Sequence, residues 1–130
     1  MITKNTMWNS KMTNGNIELL NINNDLSCFI IKVSEPSNSI FEINAMSAIY
    51  SYFEKIGVIN LIVDWSNIQI FCSHIIDYLI RIHKNVATRN GLVVFCNVDK
   101  NIQEHMKIDG TSQIFKIFDS LEECYSKFYN

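Results

Sequence analysis

The apolar positions of this chain change period several times, and each change marks an element. From Ile40 to about Ile56, the residues Phe41, Ala45, Ala48, Tyr52 and Ile56 hold a helical stripe. Gly57 follows at the position where a helix takes its left-handed cap residue. "VINLIVDW" is short, continuously apolar and rich in β-branched residues, which predicts a strand buried on both faces. Helical spacing then returns at Ile75, Leu79, Ile82 and Val86, with Ile76, Ile80 and His83 beside them. Gly91 marks the next junction, and "GLVVFCNV" reads as a second buried strand. "DKNIQEHMKIDG" predicts a short helix with Asp99 as N-cap and Gly110 at its end. "IFKIF" is a last strand, and "DSLEECYSKFY" a last helix with Asp119 as the candidate cap.

Upstream of the first helix the pattern is weaker. "NIELLNINNDLSCFIIKVSE" gives two β-like runs around a turn-rich "NNDLS", and "SEPSNS" is a loop set by Pro36. Residues 1–13 carry no period and are expected to be a flexible tail, in which Trp8 stands out as a side chain that would dock somewhere. Strands alternating with helices imply parallel βα units. The expected domain is therefore residues 14–130, of α/β class, in the order ββαβαβαβα. It has a mixed, mostly parallel sheet of about five strands and about four helices.

Composition narrows the function classes. A chain of 130 residues fits one domain with a single core. It is 48% hydrophobic and 18% charged, which describes a globular protein. A formal charge of −2 with no basic stripe argues against nucleic-acid binding, which needs clustered Lys and Arg. No apolar run reaches the roughly 20 residues needed to span a bilayer, so no membrane insertion is expected. The polar start lacks the apolar segment of a secretory signal. Cys28, Cys72, Cys96 and Cys124 are widely spaced and without a C-x-x-C pair, so free thiols in a reducing cytoplasm are expected.

The stretch "LIVDWSNIQIFCSHIIDYLIRIHKNVATRNGLVVFCNVDKNIQEHMKIDGTSQIFKIFDSLEECYSKF" resembles a STAS domain, the fold of anti-sigma factor antagonists. That family has a strand ending in Asp-Leu-Ser, then an apolar stretch reaching Asp-Ser-Ser/Thr-Gly-Leu at the start of a long helix. An Arg- and Gly-bearing turn leads to a Val-rich strand, and a short helix ends near a Gly before the final strand and helix. "VDWS" keeps Asp64 and Ser66 of the first motif, "RNGLVVFCNV" matches the turn and strand, and "IDGTSQIFKIF" and "DSLEEC" match the end. The likeness runs over about residues 16–128.

The second motif is altered. The family Asp falls on Cys72, the phosphoacceptor Ser on Ser73, the second Ser/Thr on His74 and the Gly on Ile75. Only the phosphoacceptor is kept. The resemblance implies a non-enzymatic bacterial regulator of transcription that works by partner switching. It would dock a GHKL-type serine kinase or anti-sigma factor around the Ser73 helix and be phosphorylated on Ser73. It also implies a partner-binding surface of Asn38, Ser66, Cys72, His74 and Ile75, the last adding exposed apolar area. The alternative is a non-phosphorylated adaptor subunit of a larger assembly, transporter-associated or stressosome-like, and self-association is left open.

Other chemistry finds little support in the sequence. As a helix N-cap, Ser73 would accept a backbone N–H for about 1 kcal/mol, a role compatible with phosphorylation. Cys72 and His74 invite a thiolate reading at a helix start, but side chains so near in sequence seldom face each other, so a structural or partner-contacting role is expected instead. Cys72, His74 and Cys96 lack the paired spacing of structural zinc, so no metal is expected. G-x-S-x-G, P-loop and G-x-G-x-x-G patterns are all missing, so neither a hydrolase nor a nucleotide or other cofactor is expected. Asp64 reads as structural, bonding loop amides at the end of its strand, and His83 and His105 read as ordinary helix residues.

Overall fold

A computed structural model describes residues 8–14, 17–22, 28–33, 43–57, 60–68 and 73–129. Six strands form one sheet in sequential order: β1 (Trp8–Asn14), β2 (Ile17–Ile22), β3 (Cys28–Val33), β4 (Asn60–Asp64), β5 (Val93–Cys96) and β6 (Lys116–Phe118). The first three pair antiparallel, and β3 through β6 pair parallel. The helices are α1 (Ile43–Ile56), α2 (Ser73–Ala87), α3 (Lys100–Asp109), the one-turn α4 (Thr111–Ile114) and α5 (Leu121–Tyr129).

All five strands and four helices read from the sequence are present, and two elements are added. The first addition corrects the expected tail: Trp8–Asn14 is an edge strand, so β1 belongs to the domain. Its sequence WNSKMTN has no β alternation. Pairing with β2 gives it its backbone bonds, a tertiary effect no local pattern carries. The register shifts between Ser10 and Met12, leaving Lys11 in a bulge, a device that blunts an exposed sheet edge. The second addition is α4, a single turn after Gly110 that is too short to show a period.

Strand alternation sorts the core into two layers. Leu19, Phe29, Ile31, Leu61, Val63, Val93 and Phe95 face one side, with Phe53 of α1, Ile75, Leu79, Ile82 and Val86 of α2, and Ile102 and Met106 of α3. Leu20, Cys28, Ile30, Ile62, Val94 and Cys96 face the other, with Cys124 and Tyr125 of α5. Three successive crossovers step the same way across the sheet, and right-handedness puts α1, α2 and α3 on one face. Among the described helices, α5, which follows the last strand, covers the other.

The expected caps are largely in place. Gly57 has φ +65° and donates to Phe53 O at 3.1 Å; Gly110 has φ +86° after α3. The Asp99 side chain caps α3 by accepting from Asn101 N at 2.9 Å. After α2, the left-handed residue is Asn90 (φ +60°), one before the glycine expected to mark the junction. At α5 the cap is Ser120 in place of Asp119: Ser120 Oγ accepts from Glu123 N, and the Glu123 carboxylate reaches back to Asp119 N, each at 3.2 Å. That is a capping-box arrangement shifted by one residue at its return bond.

Candidate functional site

The parallel strands end in line. Lys32, Asp64, Cys96 and Phe118 are register partners across β3, β4, β5 and β6, so these residues mark the carboxyl edge of the parallel sheet. A helix joining two parallel strands must run back along them, which places the start of α2 at this same edge. In open α/β sheets the carboxyl edge is where functional loops gather.

The exit from β4 is built around Asp64, a 4% exposed carboxylate. Its Oδ1 accepts from Ser66 N at 3.0 Å and from Asn97 Nδ2 at 3.1 Å. Asn97 follows β5 and has φ +57°, a left-handed conformation that Asn tolerates better than most residues. The carboxylate thus joins the exits of two neighbouring strands and bonds a loop amide, the structural role read from the sequence. Asn97 was not singled out there, although an Asn ending a buried apolar run, just before the helix cap Asp99, is a readable signal for a left-handed turn.

The loop leaving β4 is anchored in the core. Trp65 N donates to Cys96 O at 3.0 Å, and Ile68 N donates to Trp65 O at 3.0 Å. Trp65 and Ile68 are both buried, with the Trp65 ring 5.1 Å from that of Phe95. Ser66, between them, is exposed. The large apolar residue after Asp64 therefore turns inward and the small polar one outward, which fixes where the path to α2 begins.

Each site residue from the sequence can now be placed. Ser73 and His74 are the first two residues of α2, and the first turn of that helix has no acidic residue. Ser66 is exposed at the same edge. Ile75 corrects the expectation of added exposed apolar area: it is 2% exposed and packs in the helix-side core. It begins the stripe that continues through Leu79, Ile82 and Val86, and that stripe faces the sheet. Asn38 and Cys72 lie outside the described residues. His83 and His105 lie within α2 and α3. Among the described residues no group of three His, Cys, Asp or Glu is arranged to hold a metal ion. Nor is any helix among them long and apolar enough to cross a membrane.

The sequence model of the STAS domain matches residues 17–124. The chain belongs to the STAS domain family. Solved structures share the fold at low identity. A Thermotoga maritima protein described as a candidate anti-sigma factor antagonist superimposes with a TM-score of 0.63 at 12% identity, covering 80% of this chain and 89% of its own. The anti-sigma factor antagonist SpoIIAA in its unphosphorylated form gives 0.61 at 11% identity, with coverage of 93% and 96%. The Bacillus cell-fate determinant SpoIIAA in its phosphorylated form gives 0.58 at 10% identity, with coverage of 93% and 98%. No curated protein matches at significant similarity. Within this STAS domain the Asp64 carboxylate holds the β4 exit to the β5 exit, and Trp65 stands where the family pattern has Leu.

Removing that carboxylate gives a measurable expectation. Asp64→Ala leaves the half-buried Asn97 amide and the Ser66 N–H without their acceptor, at a cost of about 1–3 kcal/mol. Urea unfolding measures it. A midpoint unchanged from the parent would show that solvent replaces both bonds without loss.

Proposed function

We propose that this STAS domain is a regulatory protein-binding module. It docks a GHKL-type serine kinase or anti-sigma factor at the carboxyl edge around the start of α2, and Ser73 is the switch residue. The observation that carries this reading is the position of Ser73. It is the first residue of α2, in a helix turn without acidic side chains, at the edge where Ser66 is exposed. A phosphoryl group there gains from the helix dipole and free backbone N–H groups. It also adds about −1.5 to −2 charges at the centre of the docking edge, which ejects a partner by repulsion and desolvation. The phosphorylated and unphosphorylated forms of the structural relative SpoIIAA support the analogy.

A second reading is a constitutive adaptor within a larger assembly, in which Ser73 only begins the helix. The replaced neighbours favour it: Cys72, His74 and Ile75 stand where the family has Asp, Ser/Thr and Gly, and Ile75 is buried. One experiment separates the two. The protein is incubated with the candidate kinase, with and without ATP, and phosphate is mapped by mass spectrometry alongside the binding measurement. Label on Ser73 with loss of binding, both abolished in Ser73→Ala, is the result expected of the switch. Binding that persists in ATP with Ser73 unlabelled establishes the adaptor. No binding in either condition rejects that kinase as partner.

A further inference from the structure

The face of the sheet covered by α5 holds two thiols in one apolar cluster. Cys96 ends β5 and Cys124 lies in α5; both are fully buried in the same apolar cluster. Cys124 Sγ donates to the carbonyl oxygen of Phe95 at 3.5 Å, one residue before Cys96. Asn97 Nδ2 approaches Cys96 Sγ at 3.7 Å.

Cys28 shares the cluster but is no competitor. It pairs with Asn60 at the start of β4, whereas Cys96 pairs with Asp64 at its end. That offset of four residues is about 13 Å along the strand, and the two cysteines are also two strands apart, about 9–10 Å.

We propose that Cys96 and Cys124 are a redox-modification site, converted by a two-electron oxidant of the peroxide class into a disulfide that locks α5 onto β5. Access comes through α5 itself. It is a nine-residue helix, too short to be stable alone and held by its apolar face, so local undocking exposes Cys124 without global unfolding. In the docked state the Cys96 thiol is pushed far above the usual thiol range, first by its hydrogen bond to Cys124 and then by burial. Both thiols are shielded from solvent while α5 is docked, so oxidation begins on the opened helix. The Cys124 thiolate attacks the peroxide, the O–O bond breaks, and Cys124 becomes a sulfenic acid as one water leaves. On redocking, Cys96 sulfur attacks Cys124 sulfur. The S–S bond forms and hydroxide departs with the Cys96 proton as the second water. Two thiols and one peroxide give one disulfide and two waters.

The test uses the full chain in native buffer. It is treated with hydrogen peroxide, blocked with an alkylating agent, digested and mapped by mass spectrometry, with a parallel thermal melt. The expected result is a Cys96–Cys124 linked peptide, reversed by dithiothreitol, with a raised melting midpoint. The link should persist in Cys28→Ala and Cys72→Ala and vanish in Cys124→Ala. The proposal is overturned if the linked peptide forms only in urea, if the links run instead to Cys28 or Cys72, or if Cys96 and Cys124 remain fully alkylatable after unfolding. The map of the parent chain decides by itself, so a poorly folded Cys124→Ala would not obscure the outcome.

Discussion

Phe95→Ala is expected to destabilise the domain by about 3–5 kcal/mol, the range for truncating a buried Phe. Phe95 is fully buried in β5, between Val63 of β4 and Ile117 of β6 in register. Its ring stacks on Phe115 with centroids 4.5 Å apart and planes within 19°, and meets Trp65 at 5.1 Å and 54°. Phe115 in turn meets His83 of α2 edge-on at 5.6 Å. Truncation leaves a cavity bordered by the rings of Trp65, on the exit from β4, and Phe115, on the approach to β6, and Phe115 is itself held by His83 of α2, so these elements cannot all collapse into it together. Domains of this size carry only about 5–15 kcal/mol, so the variant should lose much of its margin. Urea unfolding with an unchanged slope and a lower midpoint is the signature. Ile108→Ser is the control: Ile108 is 83% exposed, and its change should stay within about 0.5 kcal/mol. Similar midpoints for the two variants would remove the ring stack from any account of the core.

Restoring the family glycine is expected to harm this protein. Ile75→Gly rebuilds one position of the family motif but removes a side chain that is 2% exposed beneath the first turn of α2. Truncating a buried Ile costs about 2–5 kcal/mol, and glycine in a helix adds up to about 1. A loss of about 2–6 kcal/mol follows, against about 0.5–1.5 for Ile75→Val. The midpoint of chemical unfolding reads both. A stable Ile75→Gly protein would mean that the first turn of α2 is not anchored as described. Fraying of that turn would also move Ser73, so this substitution should lower any phosphorylation of Ser73 even though it restores the motif.

The case of Ile75 shows how far residue pattern and family pattern can diverge. The spacing Ile75, Leu79, Ile82, Val86 already places Ile75 on the core stripe of its helix. The family glycine at that position invites the opposite reading, a surface residue in a docking motif. Burial follows the stripe, because the sheet beneath α2 must be covered whatever happened to the motif. Asp64 shows agreement instead: a carboxylate ending a buried strand needs donors, and the exposed turn after it supplies the Ser66 amide. Its second donor, the Asn97 side chain 33 residues later, depends on which strand lies beside β4, and no local pattern contains that.

The sequence by itself determined the elements whose stability is written locally. These are the buried runs of β4 and β5, the stripe of α2, the Asp99 cap of α3, and the left-handed glycines after α1 and α3. With the ordered family motifs, that was enough for the α/β class and the STAS fold. Only the tertiary structure decided the rest. It made a strand of WNSKMTN by giving its backbone a partner in β2, joined the exits of β4 and β5 through Asp64 and Asn97, and brought Cys124 of α5 into the cluster that holds Cys96. Local periodicity records which face of an element is apolar. It does not record which distant element will meet that face, and these three contacts are all meetings of that kind.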